Sequence, residues 1–247
     1  MSDERSVGPA GREGAIIETF VRLADTLVDS YDVIDFLQYL CERCVELIAV
    51  DEAGVLLVAP TGNLQAVAAS SERTRMLELF ELQNHDGPCL DSFRTGEEIH
   101  AIELDRERSR WPLFTERALS VGFRGVHSVP LRLRQEVIGA LNLLRSEPVS
   151  LTTVDASLVR ALADIATIGV LQERSTREAH EAASGLQRAL TSRIRIEQAK
   201  GILAERTGVG VDEAFESLRS YARRHQLGTS VVAEQVVRRE LDIAPNR

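Results

Sequence analysis

The residues with the most chemical reach in this sequence are its cysteines, its histidines and a single lysine. Cys41 and Cys44 stand in a C-x-x-C, a spacing that serves thiol redox exchange or metal binding. They lie inside YLCERCVELI among apolar neighbours, with no second C-x-x-C and no paired histidines to complete four metal ligands. The pair therefore reads as two small hydrophobes on a helix face. His85, Asp86 and Cys89 fall in HDGPCLD, a loop that runs into a short helix. A cysteine near a helix N-terminus has its thiol pKa lowered and can act as a redox sensor, and a nearby histidine can ligate a cofactor. Cys89 and His85 are thus sensor candidates, against the plainer reading of a tight loop around a packed cysteine. His127 has no partner visible in the sequence and reads as structural. Glu97 and Glu98 are adjacent, so on a strand they point to opposite faces and make no acid–base pair. No metal-ligand set is legible. No G-x-S-x-G, H-E-x-x-H, Walker or G-x-G-x-x-G pattern occurs, and the chain does not read as an enzyme.

The basic residues near the C-terminus form a second set. Lys200 is the one lysine in 247 residues, inside RIEQAKGILAERTG. On a helix Arg193 and Lys200 lie roughly 20° apart, on one stripe. Arg219 and Arg223 are i, i+4 neighbours on the next helix. Gly201 costs roughly 1 kcal/mol in a helix interior relative to alanine, so something should require it. It either lets a ligand approach closely or lets another helix pack tightly, and spacing alone leaves these readings even.

Charge separates the same region. Residues 187–247 carry 11 Lys+Arg against 8 Asp+Glu, a net of +3 within a chain whose total is −9, which leaves −12 on residues 1–186. An acidic body with a mildly basic end excludes a general nucleic-acid binder and points to one contacting end. No apolar run approaches the ~18 residues of a membrane span, and the opening MSDERSVGPAGREG is not a signal peptide. Three cysteines in so long a chain fit a reducing cytoplasm.

Hydrophobic periodicity supplies the elements that must hold these residues. Helices are expected at 14–30 and 33–50, the second capped by Asp32. EAGVLLVAP and NLQAVAAS read as a strand pair, and ERTRMLELFELQ as a helix ended by NHDGP. EEIHAIEL is a candidate strand, RWPLFTERALSVG a helix, and GVHSVPLRLR with EVIGALNLLR the clearest hairpin. Together these make an α+β sandwich of roughly 150 residues. From Thr152 the pattern is helical throughout. A heptad with Leu158, Ile165, Gln172, Ala179, Leu186 and Arg193 at a, and Ala161, Ile168, Ser175, Ala182, Ala189 and Ile196 at d, gives a weak coiled-coil seam for pairing two chains. The alternative is a helix that packs on the sandwich and then becomes a solvated connector. Three helices follow from Ile196 onward, the last expected at 231–241 with Ser230 or Thr229 as its cap.

RIEQAKGILAERTGVGVDEAFESLRSYARRHQLGTSVVAEQVV resembles an ANTAR domain, the RNA-binding module of bacterial antitermination regulators. DGPCLDSFRTGEEI, RWPLFTERALSVGFRGVHSVPLRL and VIGALNLLRS resemble a GAF domain of GAF–ANTAR proteins. The resemblance implies a disordered tail at 1–13, a GAF sensor at 14–151, a connecting helix at 152–186 and a three-helix ANTAR bundle at 187–242. It implies binding to paired hairpins in a nascent leader transcript, which keeps a terminator from forming and acts on the RNA polymerase elongation complex indirectly. Two hairpins suit a homodimer. Carried over by position, Gln198, Ala199, Lys200, Gly201, Arg219 and Arg223 are the RNA-contact candidates, with Arg193 and Arg195 secondary. Ala204 stands where the family often has methionine, and GTSVV is a loose match to the start of the third helix. No receiver domain is present, so a GAF ligand or redox event must supply regulation. GAF domains hold cyclic nucleotides, haem, tetrapyrroles or nothing, and the sequence names no cofactor. A DNA-binding regulator, or a GAF protein whose tail only dimerises or docks a partner, are the alternatives.

Overall fold

The structure is a computed structural model describing residues 9–27 and 31–243, and the chain divides into two compact units between Ser175 and Thr176. In the first unit, α1 (Pro9–Thr26) and α2 (Val33–Leu47) open the chain. The expected tail at 1–13 lies outside the described residues up to position 8, and from Pro9 the chain is already helical. Asp32 caps α2, accepting from the Ile34 N–H at 2.7 Å. The helix buries Phe36, Leu37, Leu40, Cys41, Cys44 and Leu47, the i, i+3, i+4 stripe of its sequence.

Five strands follow: β1 (Glu52–Val58), β2 (Leu64–Ala69), β3 (Ile99–Ala101), β4 (Gly125–Leu133) and β5 (Glu136–Arg145). They form one antiparallel sheet in the order β2-β1-β5-β4-β3. The candidate strand EEIHAIEL contracts to the three residues of β3, a short edge strand paired only with β4. After Glu52, β1 is apolar because both its faces are covered: Ala53, Val55 and Leu57 join the core under α2, while Leu56 meets Cys89 and Ala140 on the other side. That other face carries α3 (Glu72–Asn84), α4 (Pro88–Thr95) and α5 (Pro112–Ser120), with a core of Leu77, Leu104, Trp111, Phe114, Phe123 and Leu144.

The helix α6 (Thr153–Thr207) runs through the unit boundary. Its first part belongs to the sheet unit, where Val159, Leu162, Ala163, Ala166 and Val170 are at most 1% exposed in the main core. Leu158 and Ile165, expected in a seam between two chains, pack against that same core. Residues 152–175 are thus part of the sandwich rather than the start of a connector. The exposed large hydrophobic residues of α6 are Val154, Ile168, Leu186, Leu190 and Ile194, of which Ile168 and Leu186 are seam positions.

The second unit comprises the rest of α6, α7 (Val211–Arg224) and α8 (Thr229–Val237). Ala199, Leu203, Ala214, Leu218, Ala222, Val232, Ala233, Val236 and Ile243 form its core. The third helix differs from expectation: Gly228 is its N-cap, Thr229 and Ser230 lie inside it, and it stops at Val237. Arg239 turns left-handed at φ 62°, and the Arg239 N–H bonds back to the Val236 carbonyl, closing the last turn. Among the described residues no helix is long and apolar enough to cross a membrane.

Candidate nucleic-acid interface

The faces of the second unit are set by what its small core buries. Ala199 and Leu203 on α6, and Ala214, Leu218 and Ala222 on α7, recur at i, i+4 and i+8, which turns the intervening positions outward. Lys200 follows Ala199. Its stem is covered, with 15% of the side chain exposed, and its Nζ lies 3.0 Å from Glu197 Oε2. The same Nζ stands 5.3 Å from the centre of the Phe215 ring. Arg219, one turn after Phe215, brings its Cζ to 5.7 Å from that ring and its Nη1 to 3.2 Å from Glu216 Oε1. Two cations from two helices therefore converge on one half-buried aromatic ring. Exposed ion pairs of this kind are worth ~0–1 kcal/mol and the cation–π contacts about 0.5–1 kcal/mol, so an incoming phosphate can displace them.

The other candidates separate into groups. Gln198 and Gly201 are exposed. A Cβ built on Gly201 would meet no atom within 4 Å, so tight helix packing does not explain this glycine. Ala199 is 0% exposed and sits in the core, which corrects its assignment as a contact residue. The i, i+3, i+7 spacing of Ile196, Ala199 and Leu203 already places it on a buried stripe, and the structure bears that out. Arg195 is tied through Nη1 to Glu234 Oε2 at 2.8 Å, linking α6 to α8. Arg193 and Arg223 are exposed and have no ion pair among the described residues. Phe215 packs partly against the core of this unit and is the site residue that the motif did not single out; its sequence signal is the pairing with Arg219 four residues on.

The interior of the sheet unit holds a different chemistry. Cys41 and Cys44 are fully buried, and burial pushes the Cys44 thiol up to about 12 and Cys41 well above the ordinary thiol range. They are hydrophobes, as their neighbours implied. Cys89 is also 0% exposed. Burial, with the Glu81 and Glu78 carboxyls beside it, pushes its thiol far up, so it is not the lowered-pKa thiolate that a helix N-terminus suggests. The positive end of α4 is instead satisfied by Glu81, whose Oε1 accepts from the Cys89 N–H at 2.7 Å and the Leu90 N–H at 3.1 Å. Burial pushes the Glu81 carboxyl up to about 8 despite those two donors. Glu78, one turn earlier, is buried against Gly54, where any Cβ would overlap its carboxyl group. Among the described residues neither of its oxygens has a hydrogen bond of good geometry, and burial and then Glu81 push it well above the carboxylate range against a lowering interaction with Asn142. His85 caps α3 in a left-handed conformation at φ 54° and is exposed. Its neighbour Asp86 accepts from the Leu113 and Phe114 N–H groups at 2.7 and 3.0 Å, so the loop ties three helices together.

The GAF-domain family model matches residues 30–170, and the ANTAR-domain model matches residues 184–237. Solved structures of similar fold include the GAF domain of a phosphoenolpyruvate-protein phosphotransferase from Acinetobacter, at 14% identity and TM-score 0.51, covering 64% of this chain and 94% of that one. Another is a free methionine-R-sulfoxide reductase from Neisseria meningitidis, solved with its substrate, at 17% identity and TM-score 0.53, covering 71% of this chain and 98% of that one. A third is the GAF domain of a phosphoenolpyruvate-protein phosphotransferase from Coxiella burnetii, at 12% identity and TM-score 0.52, covering 67% and 98%. At such identities these structures establish the fold of the sheet unit and nothing about its ligand. No curated protein matches the chain significantly. An antiparallel sheet between helical layers, followed by a compact three-helix unit at the matched positions, places the chain in the GAF domain family as a regulatory protein of GAF–ANTAR architecture.

Proposed function

We propose that this protein is a cytoplasmic, signal-responsive RNA-binding regulator whose C-terminal unit grips the loops of paired hairpins in nascent leader RNA and so keeps a terminator from forming. The observation that carries this reading is the convergence of Lys200 and Arg219 on Phe215, beside an exposed Gly201 at which an added Cβ would meet no described atom within 4 Å. RNA loops present unstacked bases and closely spaced phosphates, and an aromatic ring flanked by cations suits both. In this arrangement Phe215 stacks a splayed base, Lys200 and Arg219 trade Glu197 and Glu216 for phosphates, and the exposed amide of Gln198 reads a base edge. Arg193 and Arg223, which have no ion pair to give up among the described residues, add salt-dependent attraction. Arg195 acts at one remove by holding α8 through Glu234. Ala199 contributes packing alone.

Two hairpins in one leader call for two binding units, hence a homodimer. The exposed Leu186, Leu190 and Ile194 on α6 are apolar surface that a second copy would cover. The GAF domain serves as sensor and dimerisation module, and RNA polymerase is affected only through the transcript. The test is a gel-shift titration of a two-hairpin leader RNA with the full-length protein and Lys200→Ala, at one stated salt concentration. Loop-dependent binding that weakens in the variant supports the reading. Equal binding to a scrambled-loop RNA and to duplex DNA would refute it and favour a general or DNA-directed binder.

A further inference from the structure

The register of the sheet edge assembles a group that sequence spacing did not reveal. His100 on β3 lies directly across from His127 on β4, so both side chains leave the same face of the sheet. That is also the face of Leu143, the β5 partner of His127, which points into the core under α2 and α6 and away from Cys89 and Glu81. Glu98 precedes His100 by two residues and shares its side by the period of a strand. Its Oε2 is 3.5 Å from His100 Nε2 and 3.5 Å from His127 Nε2. Each of the three residues offers a donor atom within 4.8 Å of the others, the one such group among the described residues.

We propose that Glu98, His100 and His127 bind a divalent transition-metal ion of the Zn2+ class. Bonds of ~2.0–2.2 Å at a tetrahedral angle put two donors on one ion ~3.4 Å apart, which is the spacing Glu98 keeps to both rings. The His127 side chain is 7% exposed, and its Nε2 is buried without a hydrogen-bond partner. A buried ring nitrogen left unpaired is costly and calls for a missing partner. When His127 donates from Nδ1 to the His100 Nδ1 at 2.9 Å, its Nε2 lone pair faces the Glu98 carboxylate with no proton between them, an arrangement a cation completes.

The surroundings fit an ion. Arg160 on α6 takes Glu98 Oε1, which orients the carboxylate and leaves Oε2 free. Glu98, His100, Arg160 and Asp164 line an open cleft of about 560 Å3 through which a hydrated ion can enter. Binding through both Nε2 atoms puts a proton on each Nδ1, so the 2.9 Å contact between the rings must open. His100 provides that motion, its side chain being 53% exposed on the edge strand. Two imidazoles and one carboxylate select zinc, cobalt, nickel, copper or iron over magnesium and calcium. Three protein ligands leave a fourth position for water or a small anion, and Arg160, in the early turns of α6, holds the liganding carboxylate through its other oxygen.

The experiment uses full-length, tag-free protein, stripped with a chelator and dialysed, then titrated with Co2+, Zn2+ and Mg2+. Metal analysis and the visible Co2+ spectrum are the readouts. The expected result is one Co2+ per chain with a nitrogen–oxygen spectrum and no thiolate charge-transfer band, displaced by Zn2+ and unaffected by Mg2+. His100→Ala and Glu98→Gln, which leave the buried His127 in place and should keep the wild-type circular dichroism, weaken binding by more than about 10-fold, since even an outer-shell loss reaches that. Absence of stoichiometric binding to the wild type, or full binding in folded His100→Ala, overturns the proposal.

Discussion

In the GAF domain the ionisable groups with unusual surroundings are inside. Glu78, Glu81, Cys89 and His127 are each under a tenth exposed, and burial holds all four in their neutral forms. In the ANTAR unit the order is reversed. Its core cluster is alanine, leucine, valine and isoleucine, and the charges lie outside, some of them in short pairs such as Lys200–Glu197 and Arg219–Glu216. The first arrangement responds to protons, ligands and packing, because changing the charge of a buried group is expensive. The second responds to ionic strength and to polyanions, because exposed pairs are weak and screened. The proposed function, sensing in one unit and RNA binding in the other, would use this division.

The largest effect should come from the helical unit, whose core is small. Leu218 is 0% exposed between three helices, and Leu218→Ala should cost about 2–5 kcal/mol. A unit of this size has little stability to spare. Hydrogen exchange should show residues 211–237 losing protection while the strands of the GAF domain keep theirs. Loss of protection in both units together would mean that the two are not independent in stability.

The next effect tests the sheet domain's interior. Glu81 is raised to about 8, so the stability linked to its neutral form is complete below the ordinary carboxylate range and is lost as pH rises through about 8. Glu78 is shifted in the same direction. The melting temperature of the GAF domain should therefore fall between pH 5 and pH 9, by roughly 2–4 °C for each kcal/mol lost. Glu81→Gln keeps an acceptor for the Cys89 and Leu90 N–H groups and should flatten that fall. A wild-type melting temperature that is constant or rising over this range would show the two carboxyls to be ionised and otherwise compensated.

The smallest effect is the most diagnostic of the ANTAR surface. Gly201→Ala meets no atom in the chain and should stabilise α6 by about 1 kcal/mol. If the glycine is kept for a ligand's approach, the same variant binds RNA less tightly. Stability and affinity moving together would remove that role.

How far this division could be read in advance depended on whether local pattern and burial agreed. In α2, α7 and the β4–β5 hairpin they agree, and the elements lie where periodicity put them. In α3 they conflict: Thr74, Leu77, Glu78 and Glu81 form the buried stripe while Met76 is 48% exposed. No hydrophobicity rule places two glutamates inward. They are there because one caps α4 and the other faces the bare backbone of Gly54. The His100–His127 pair was hidden for another reason, since cross-strand register is a property of two segments and neither one encodes it alone. In the ANTAR unit the family motif and the buried stripe through Ala199 were legible, whereas the convergence of Lys200 and Arg219 on Phe215 required the third dimension.

The most direct test of the account is an anisotropy titration of a two-hairpin leader RNA with full-length wild type and Phe215→Leu at one salt concentration. Leucine keeps the apolar contact with the core and removes only the ring. Stacking on one base is worth about 1–3 kcal/mol, so the account predicts binding weaker by ~5-fold to ~150-fold with an unchanged melting curve. Equal affinity in the two proteins would contradict it, because the face where Lys200 and Arg219 converge would then not be where RNA is held.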